Sequence, residues 1–119
     1  MSDLTSNSDE SLESARDLAG LAASEILGLH AYDLATACAV KLGLYEGTAP
    51  DLAEARILIE ALGGLVDGAA RNLGSHHAAP LRTALKELQQ EFRNLSAFQD
   101  DPGEGPAERY TGYVAPTAH

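Results

Sequence analysis

Tryptophan is absent from this chain of 119 residues, and aromatic residues make up only 5% of it. Large aromatic anchors are therefore scarce, and Leu, Ala, Ile and Val have to supply the hydrophobic core. There is one cysteine, Cys38, so an intramolecular disulfide is excluded. Because Cys38 lies in an apolar stretch, we predict that it is a small buried side chain.

Basic residues are few: 8 Lys and Arg stand against 18 Asp and Glu, and the formal net charge is −10. This charge repels phosphate backbones and anionic lipid surfaces, so we expect no direct binding of nucleic acid or of a membrane. Glu25, Asp33 and Lys41 interrupt the most apolar region, so no uncharged run reaches membrane-spanning length. The N-terminus lacks the pattern of a secretory signal. We therefore expect a cytoplasmic protein.

Two series of apolar residues repeat at alternating steps of three and four. This spacing keeps one seam of an α-helix facing a neighbouring helix over several turns. The seams predict helix packing and carry no catalytic signature. The first consists of Leu52, Ala55, Ile59, Leu62, Val66 and Ala69, and the second of Leu81, Leu85, Leu88, Phe92 and Leu95.

The fold class that these seams indicate is all-α, with three main helices in a small bundle. Gly43 suits the left-handed position that ends a helix. Asp51 followed by Glu54 resembles a capping box at a helix start. We expect Ser75 to cap the last helix, with Pro80 near its first turn. The three helices are predicted over about residues 22–42, 52–72 and 75–97.

Both ends of the chain read as disordered acidic tails. Residues 1–15 are rich in Ser, Asp and Glu and contain little to bury, which favours a disordered N-terminal tail. After Phe98 the sequence contains turn formers and acids without periodicity, which predicts a flexible acidic tail over 99–119. The helical domain is then predicted over 16–98.

Gly63 and Gly64 lie inside the second helical pattern, where each costs about 1 kcal/mol relative to Ala. Close packing against a neighbouring backbone is one explanation. The alternative is a break that divides the pattern into two shorter helices. A phosphate-binding loop is excluded, because no strand precedes the glycines and no Lys with Ser or Thr follows them.

The apolar face of the first helix is wider than one partner helix can cover. A core of roughly 80 residues is also marginal alone. We therefore expect a homodimer, symmetric because a self-complementary patch closes at two copies. The candidate interface residues are Ile26, Leu27, Leu34 and Cys38.

Tyr110 and Tyr113 are the large side chains of an otherwise polar tail. They are candidate contacts for a protein partner whose identity the sequence does not give. The alternative is a flexible end with no partner, and the sequence leaves both open. A non-enzymatic interaction or scaffold module is the leading functional hypothesis.

No catalytic, cofactor-binding or metal-binding residues are predicted. His30 with Asp33 lacks a nucleophile and a substrate pocket. His76 and His77 are adjacent, so their side chains diverge by about 100° on a helix, and no third ligand is apparent. A metal-dependent enzyme that uses these histidines is the least favoured hypothesis.

Several blocks of the sequence stand out: residues 39–44 (AVKLGL), 51–62 (DLAEARILIEAL) and 76–82 (HHAAPLR), with 102–106 (PGEGP) and 110–112 (YTG) in the tail. These blocks resemble a small bacterial family of unknown function, in particular its actinobacterial branch. The resemblance implies a small helical cytosolic protein and supplies no activity, cofactor or catalytic residue. Genes of this family often lie beside those of translation initiation factor three and ribosomal proteins, so the resemblance leaves a translation- or ribosome-associated accessory factor as an alternative.

Overall fold

The structure, a computed structural model, describes the backbone of residues 2–117 and the side chains of residues 9–117. Helices are the only regular elements in this part of the chain. They are α1 (Ser2–Ala19), α2 (Ala23–Lys41), α3 (Leu52–Leu73), α4 (Ser75–Leu95) and the short α5 (Glu108–Thr111).

The helix ends follow the local signals in the sequence. The Asp51 carboxylate accepts a hydrogen bond of 3.2 Å from the Glu54 backbone N–H, so the predicted cap of α3 is present. Gly43 has a φ of 74° directly after the last turn of α2. Ser75 does not cap α4, because it is the first helical residue and Gly74 alone connects α3 to α4.

Helix α3 is central and packs against α2, α4 and α5. The two predicted seams form the core: all of the first except the half-buried Leu52 is buried, and the second is buried from Leu85 to Phe92. Cys38 joins this core with no exposed surface, as predicted. Burial raises the pKa of its thiol to about 11.

The glycine pair does not break the helix. Helix α3 runs without interruption from Leu52 to Leu73 and includes both Gly63 and Gly64. The alternative of two shorter helices is therefore wrong, and the reason for the glycines lies in what packs against them.

The prediction of three main helices is wrong, because α1 is a fourth. The region predicted as a disordered tail over residues 1–15 is helical from Ser2 onward, and the side chains of residues 1–8 lie outside the described part. Leu12, Ala15 and Leu18 recur at helical spacing, which indicates a helix. The prediction of a disordered tail gave more weight to the acidic composition than to this spacing. The side chains of residues 9–19 in α1 are exposed, so this part of α1 adds nothing to the core.

The C-terminal segment, defined here as residues 99–117, also differs from its prediction. We expected a flexible acidic tail over 99–119, whereas the described part packs on α3 and α4 and buries Pro106, Ala107 and Val114. Residues 118–119 lie outside the description. This packing could not be predicted from composition, because the segment docks through individual residues and has no periodic apolar face.

Candidate interaction site formed by the C-terminal segment

The segment reaches α3 at the glycine pair. Ala107 is fully buried, and a Cβ atom placed on Gly63 would lie 2.5 Å from the Cβ of Ala107. The Tyr110 ring lies beside both glycines. Only glycine at position 63 leaves room for this approach. Glycine lowers the helix propensity of α3 at this position, and it allows the segment to pack directly against the helix.

Glu60 of α3 holds the same stretch from the side. Its carboxylate accepts a hydrogen bond of 2.8 Å from the Ala107 N–H and pairs with the Arg109 guanidinium at 3.2 Å. Ala107 has a φ of 63°, a left-handed conformation that costs a non-glycine residue about 1–2 kcal/mol. The contacts of Ala107 with Glu60 and Gly63 offset this strain.

A buried ion pair fixes the segment to α4. Arg93 and Glu108 are each 2% exposed and form a two-pronged contact: Nε donates to Oε2 at 2.9 Å and Nη2 donates to Oε1 at 2.7 Å. The Glu108 carboxylate also accepts hydrogen bonds from the N–H groups of Gly103, Gly105 and Val114. Donor groups of the protein therefore occupy the hydrogen-bond acceptor sites of both Glu108 carboxylate oxygens.

The environment keeps both partners charged. Burial by itself would raise the pKa of Glu108, but the hydrogen bonds from Arg93 and the backbone N–H groups outweigh burial, and the pKa of Glu108 is lowered. The hydrogen bond to Glu108 raises the pKa of Arg93. Arg93 donates further to the carbonyl oxygens of Asp100 and Asp101, so it closes the loop that leads into the segment.

Three more side chains, those of Arg56, Gln89 and Asn94, bind the segment along its length. Arg56 of α3 pairs with Asp100 at 2.6 Å. The Gln89 amide, 1% exposed on α4, donates to the Pro106 carbonyl and to the Thr111 hydroxyl, each at 3.0 Å. Near the end of the segment, Asn94 exchanges hydrogen bonds with Thr117.

The docked segment forms one wall of a cleft of about 410 Å³ against α3 and α4. Tyr110 and Tyr113, the predicted contacts for a partner, both line this cleft and are 37% and 51% exposed. The structure thus brings the two tyrosines together beside the body, and their role in partner binding stays a prediction. The other lining residues are Gly63, Val66, Asp67, Arg82, Leu85, Lys86, Gln89, Thr111 and Val114.

The oligomer interface predicted on α2 stays a prediction, and the structure shows how exposed its residues are in one chain. Cys38 faces the core of its own chain and is 0% exposed, so it is not available to a second copy in this conformation. Ile26 and Leu27 are half-buried, and Leu34 packs against the core. The exposed apolar side chains of α2 are instead Leu29, Tyr32 and Val40.

The three histidines in the described part of the chain are all exposed. His76 and His77 are exposed in the first turn of α4, with their ring centroids 5.8 Å apart, and His30 is exposed on α2. Among the described residues, no group of three or more His, Cys, Asp or Glu side chains is placed to hold a metal ion. In the same part of the chain, no helix has the length and hydropathy needed to cross a bilayer.

A model of one protein family matches residues 29–94, more than half of the chain. The chain belongs to the family described as domain of unknown function DUF1844. The match extends from α2 to the last turn of α4 and so includes Gly63 and Arg93, whereas Glu108 lies beyond it. Comparison with curated proteins and with solved structures found no significant match. The DUF1844 assignment identifies the family and leaves its activity open.

Sequence reasoning missed the residues that hold the segment of this DUF1844 chain. Arg93 was not among the predicted site residues, yet it is buried against Glu108. A usable signal was present: Arg82, Lys86, Gln89 and Arg93 follow each other at steps of four, three and four, beside the apolar seam. In this chain the stripe lies on the face of α4 that contacts the C-terminal segment through Gln89 and Arg93 and lines the cleft through Arg82 and Lys86.

Proposed function

We propose that this protein is a non-enzymatic interaction module that pairs with a second copy of itself through an apolar patch at one end of the bundle. The single observation that carries the proposal is Phe98, whose side chain is 92% exposed although it is one of only two phenylalanines. An exposed aromatic side chain of this size is typical of a contact surface.

The topology gathers further apolar side chains near Phe98. Because α2, α3 and α4 follow each other through short connections, the end of α2, the start of α3 and the end of α4 meet at one end of the bundle. This end carries exposed large apolar residues from each helix or its flanking loop: Leu44, Tyr45, Ile57, Leu95 and Phe98.

A groove beside Phe98 favours a second copy as the partner. Leu52, Ala53 and Phe92 help to line this groove, whose volume is about 330 Å³. A projecting ring and a groove on the same patch are self-complementary, because a two-fold axis places each Phe98 in the groove of the other copy. The contact would bury apolar surface that the small core of one chain leaves in water.

Sedimentation velocity of the full chain at micromolar concentration tests this proposal. We expect a dimer, and we expect Phe98→Asp to give a folded monomer with an unchanged helical circular-dichroism spectrum. Leu29→Asp is the matched control, since Leu29 is exposed on α2 far from this end of the bundle. A wild-type monomer overturns the proposal. A dimer that Leu29→Asp breaks and Phe98→Asp preserves moves the interface to α2 and overturns the role of Phe98.

A further inference from the structure

Two basic side chains that line the cleft have no ion-pair partner among the described residues, as is also the case for Arg16 and Lys41. Four of the arginines have ion-pair partners: Arg56 with Asp100, Arg71 with Asp67, Arg93 with Glu108 and Arg109 with Glu60. Among the side chains of residues 9–117, none forms an ion pair with Arg82 or Lys86, although the chain carries a net charge of −10.

Arg82 and Lys86 also share one location. They lie one turn apart on α4 and both line the cleft that the C-terminal segment closes. The acid in the same lining, Asp67, is paired with Arg71 at 2.9 Å, so its charge is partly compensated. The cleft therefore presents two uncompensated positive charges at its edge.

The remaining lining supplies an apolar wall and polar groups. Tyr110 and Tyr113 contribute partly exposed rings, and Val66 and Leu85 contribute aliphatic surface. Gln89 is held by its two donated hydrogen bonds, and its Oε1 atom is buried without a donor among the described residues. A buried acceptor without a donor is unfavourable, and a ligand N–H or O–H group that reached it would supply the missing hydrogen bond.

We propose that this cleft binds a small organic anion. Arg82 and Lys86 would hold its carboxylate or phosphate group, and the two tyrosines would contact an apolar ring. The volume of about 410 Å³ matches that of small-molecule sites. Charge-assisted hydrogen bonds to two cations, in a cleft partly shielded from water, give the ligand its orientation.

The site exists only while the segment is docked, because Tyr110, Thr111, Tyr113 and Val114 belong to the segment and the cations belong to α4. A ligand that binds the docked state stabilises docking by mass action. This inference is independent of the dimer, since the cleft and the patch around Phe98 share no lining residue.

An NMR titration of the ¹⁵N-labelled full chain tests the proposal with four probes: benzoate, phenyl phosphate, inorganic phosphate and the uncharged benzyl alcohol. We expect saturable shifts of Tyr110, Thr111 and Tyr113 amides with one or both aromatic anions. Comparing the affinity for benzoate with that for phenyl phosphate shows whether the site prefers a carboxylate or a phosphate group. Binding of inorganic phosphate measures the contribution of the charge without a ring, and binding of benzyl alcohol measures the contribution of the ring without a charge.

The double variant Arg82→Gln/Lys86→Gln should weaken binding of the aromatic anion at least about tenfold, as expected for loss of hydrogen bonds to charged groups. Lys41→Gln is the matched control, because it removes one exposed cation at the end of α2 that does not line the cleft and forms no ion pair among the described residues. The proposal is overturned if neither aromatic anion gives a saturable shift, or if the double variant binds as the wild type does. Equal affinity for phenyl phosphate and inorganic phosphate overturns the contact with the ring.

Discussion

Arg93 and Glu108 form a two-pronged ion pair that is closed off from water, with Nη2 of Arg93 2.7 Å from Oε1 of Glu108. The pair joins the last turns of α4 to α5 and ties the C-terminal segment to the bundle. A buried pair is costly to desolvate, and its main effect is to penalise any state in which one partner is left buried alone. The pair therefore specifies where the segment docks more than it adds net stability.

Removing one partner of this pair should release the segment. Arg93→Met leaves the Glu108 carboxylate buried without its main partner, which costs about 3–5 kcal/mol. Because the segment can undock and return Glu108 to water, the loss is limited to the free energy of docking. We expect a lower free energy of unfolding in urea, with α2, α3 and α4 still folded.

Arg71→Met is the control for this comparison. Arg71 pairs with Asp67 on the surface of α3, and its side chain is 76% exposed. The expected loss is only about 0.3–0.5 kcal/mol. Equal effects of the two substitutions would contradict the role assigned to Arg93.

Two glycines in α3 should respond in opposite ways to alanine. Gly68→Ala meets no atom within 4 Å and should stabilise the protein by about 1 kcal/mol through helix propensity. Gly63→Ala places a methyl group against Ala107 and should displace the segment. Trypsin cleavage after Arg109 reports the displacement, and we expect faster cleavage in Gly63→Ala alone. If both variants are cleaved at the wild-type rate, Gly63 is not the docking point.

Docking should weaken in acid. The pKa of Glu108 is lowered in the folded protein, so its contribution is fully present above the ordinary value of about 4.3 and is lost as the pH falls through the lower folded value. We expect the NMR signals of Tyr113 to move toward those of a released segment below about pH 4. In Glu108→Gln, this transition should be absent. A transition that persists unchanged in that variant would assign the acid sensitivity to other carboxylates.

Cys38 should be unreactive while the protein is folded. Burial raises the pKa of its thiol to about 11, so the thiolate is rare at pH 8, and the side chain has no exposed surface. We expect no modification by a disulfide reagent at pH 8 in buffer and complete modification in urea. Ser75→Cys is the control, because Ser75 is exposed at the start of α4. Rapid modification of Cys38 under native conditions would contradict its place in the core.

The helices of the body could be read from the sequence because periodic apolar residues and caps act locally. The seam from Ala55 to Ala69 and the cap at Asp51 are confirmed by burial and by a hydrogen bond. Docking of the C-terminal segment could not be predicted from periodicity and capping residues. It depends on single pairs such as Arg93 with Glu108, which are fifteen residues apart in the chain, and the composition of 99–119 resembles that of mobile linkers.

Two polar stripes would have indicated the docking face. Arg56, Glu60, Gly63 and Asp67 on α3 follow the same steps of four, three and four as the stripe on α4 that ends at Arg93. Each stripe runs beside an apolar seam, and each supplies contacts to the C-terminal segment or lining to the cleft. In this chain, the two stripes therefore mark the faces of α3 and α4 that the C-terminal segment contacts.

Hydrogen exchange of the full chain at neutral pH tests most directly whether the C-terminal segment is an integral part of the fold. The account predicts that the amides of Gly103, Gly105, Ala107 and Val114, which donate to Glu108 or Glu60, exchange far more slowly than unstructured amides. Exchange of these amides at the rate of an unfolded peptide, with α3 still protected, would contradict it.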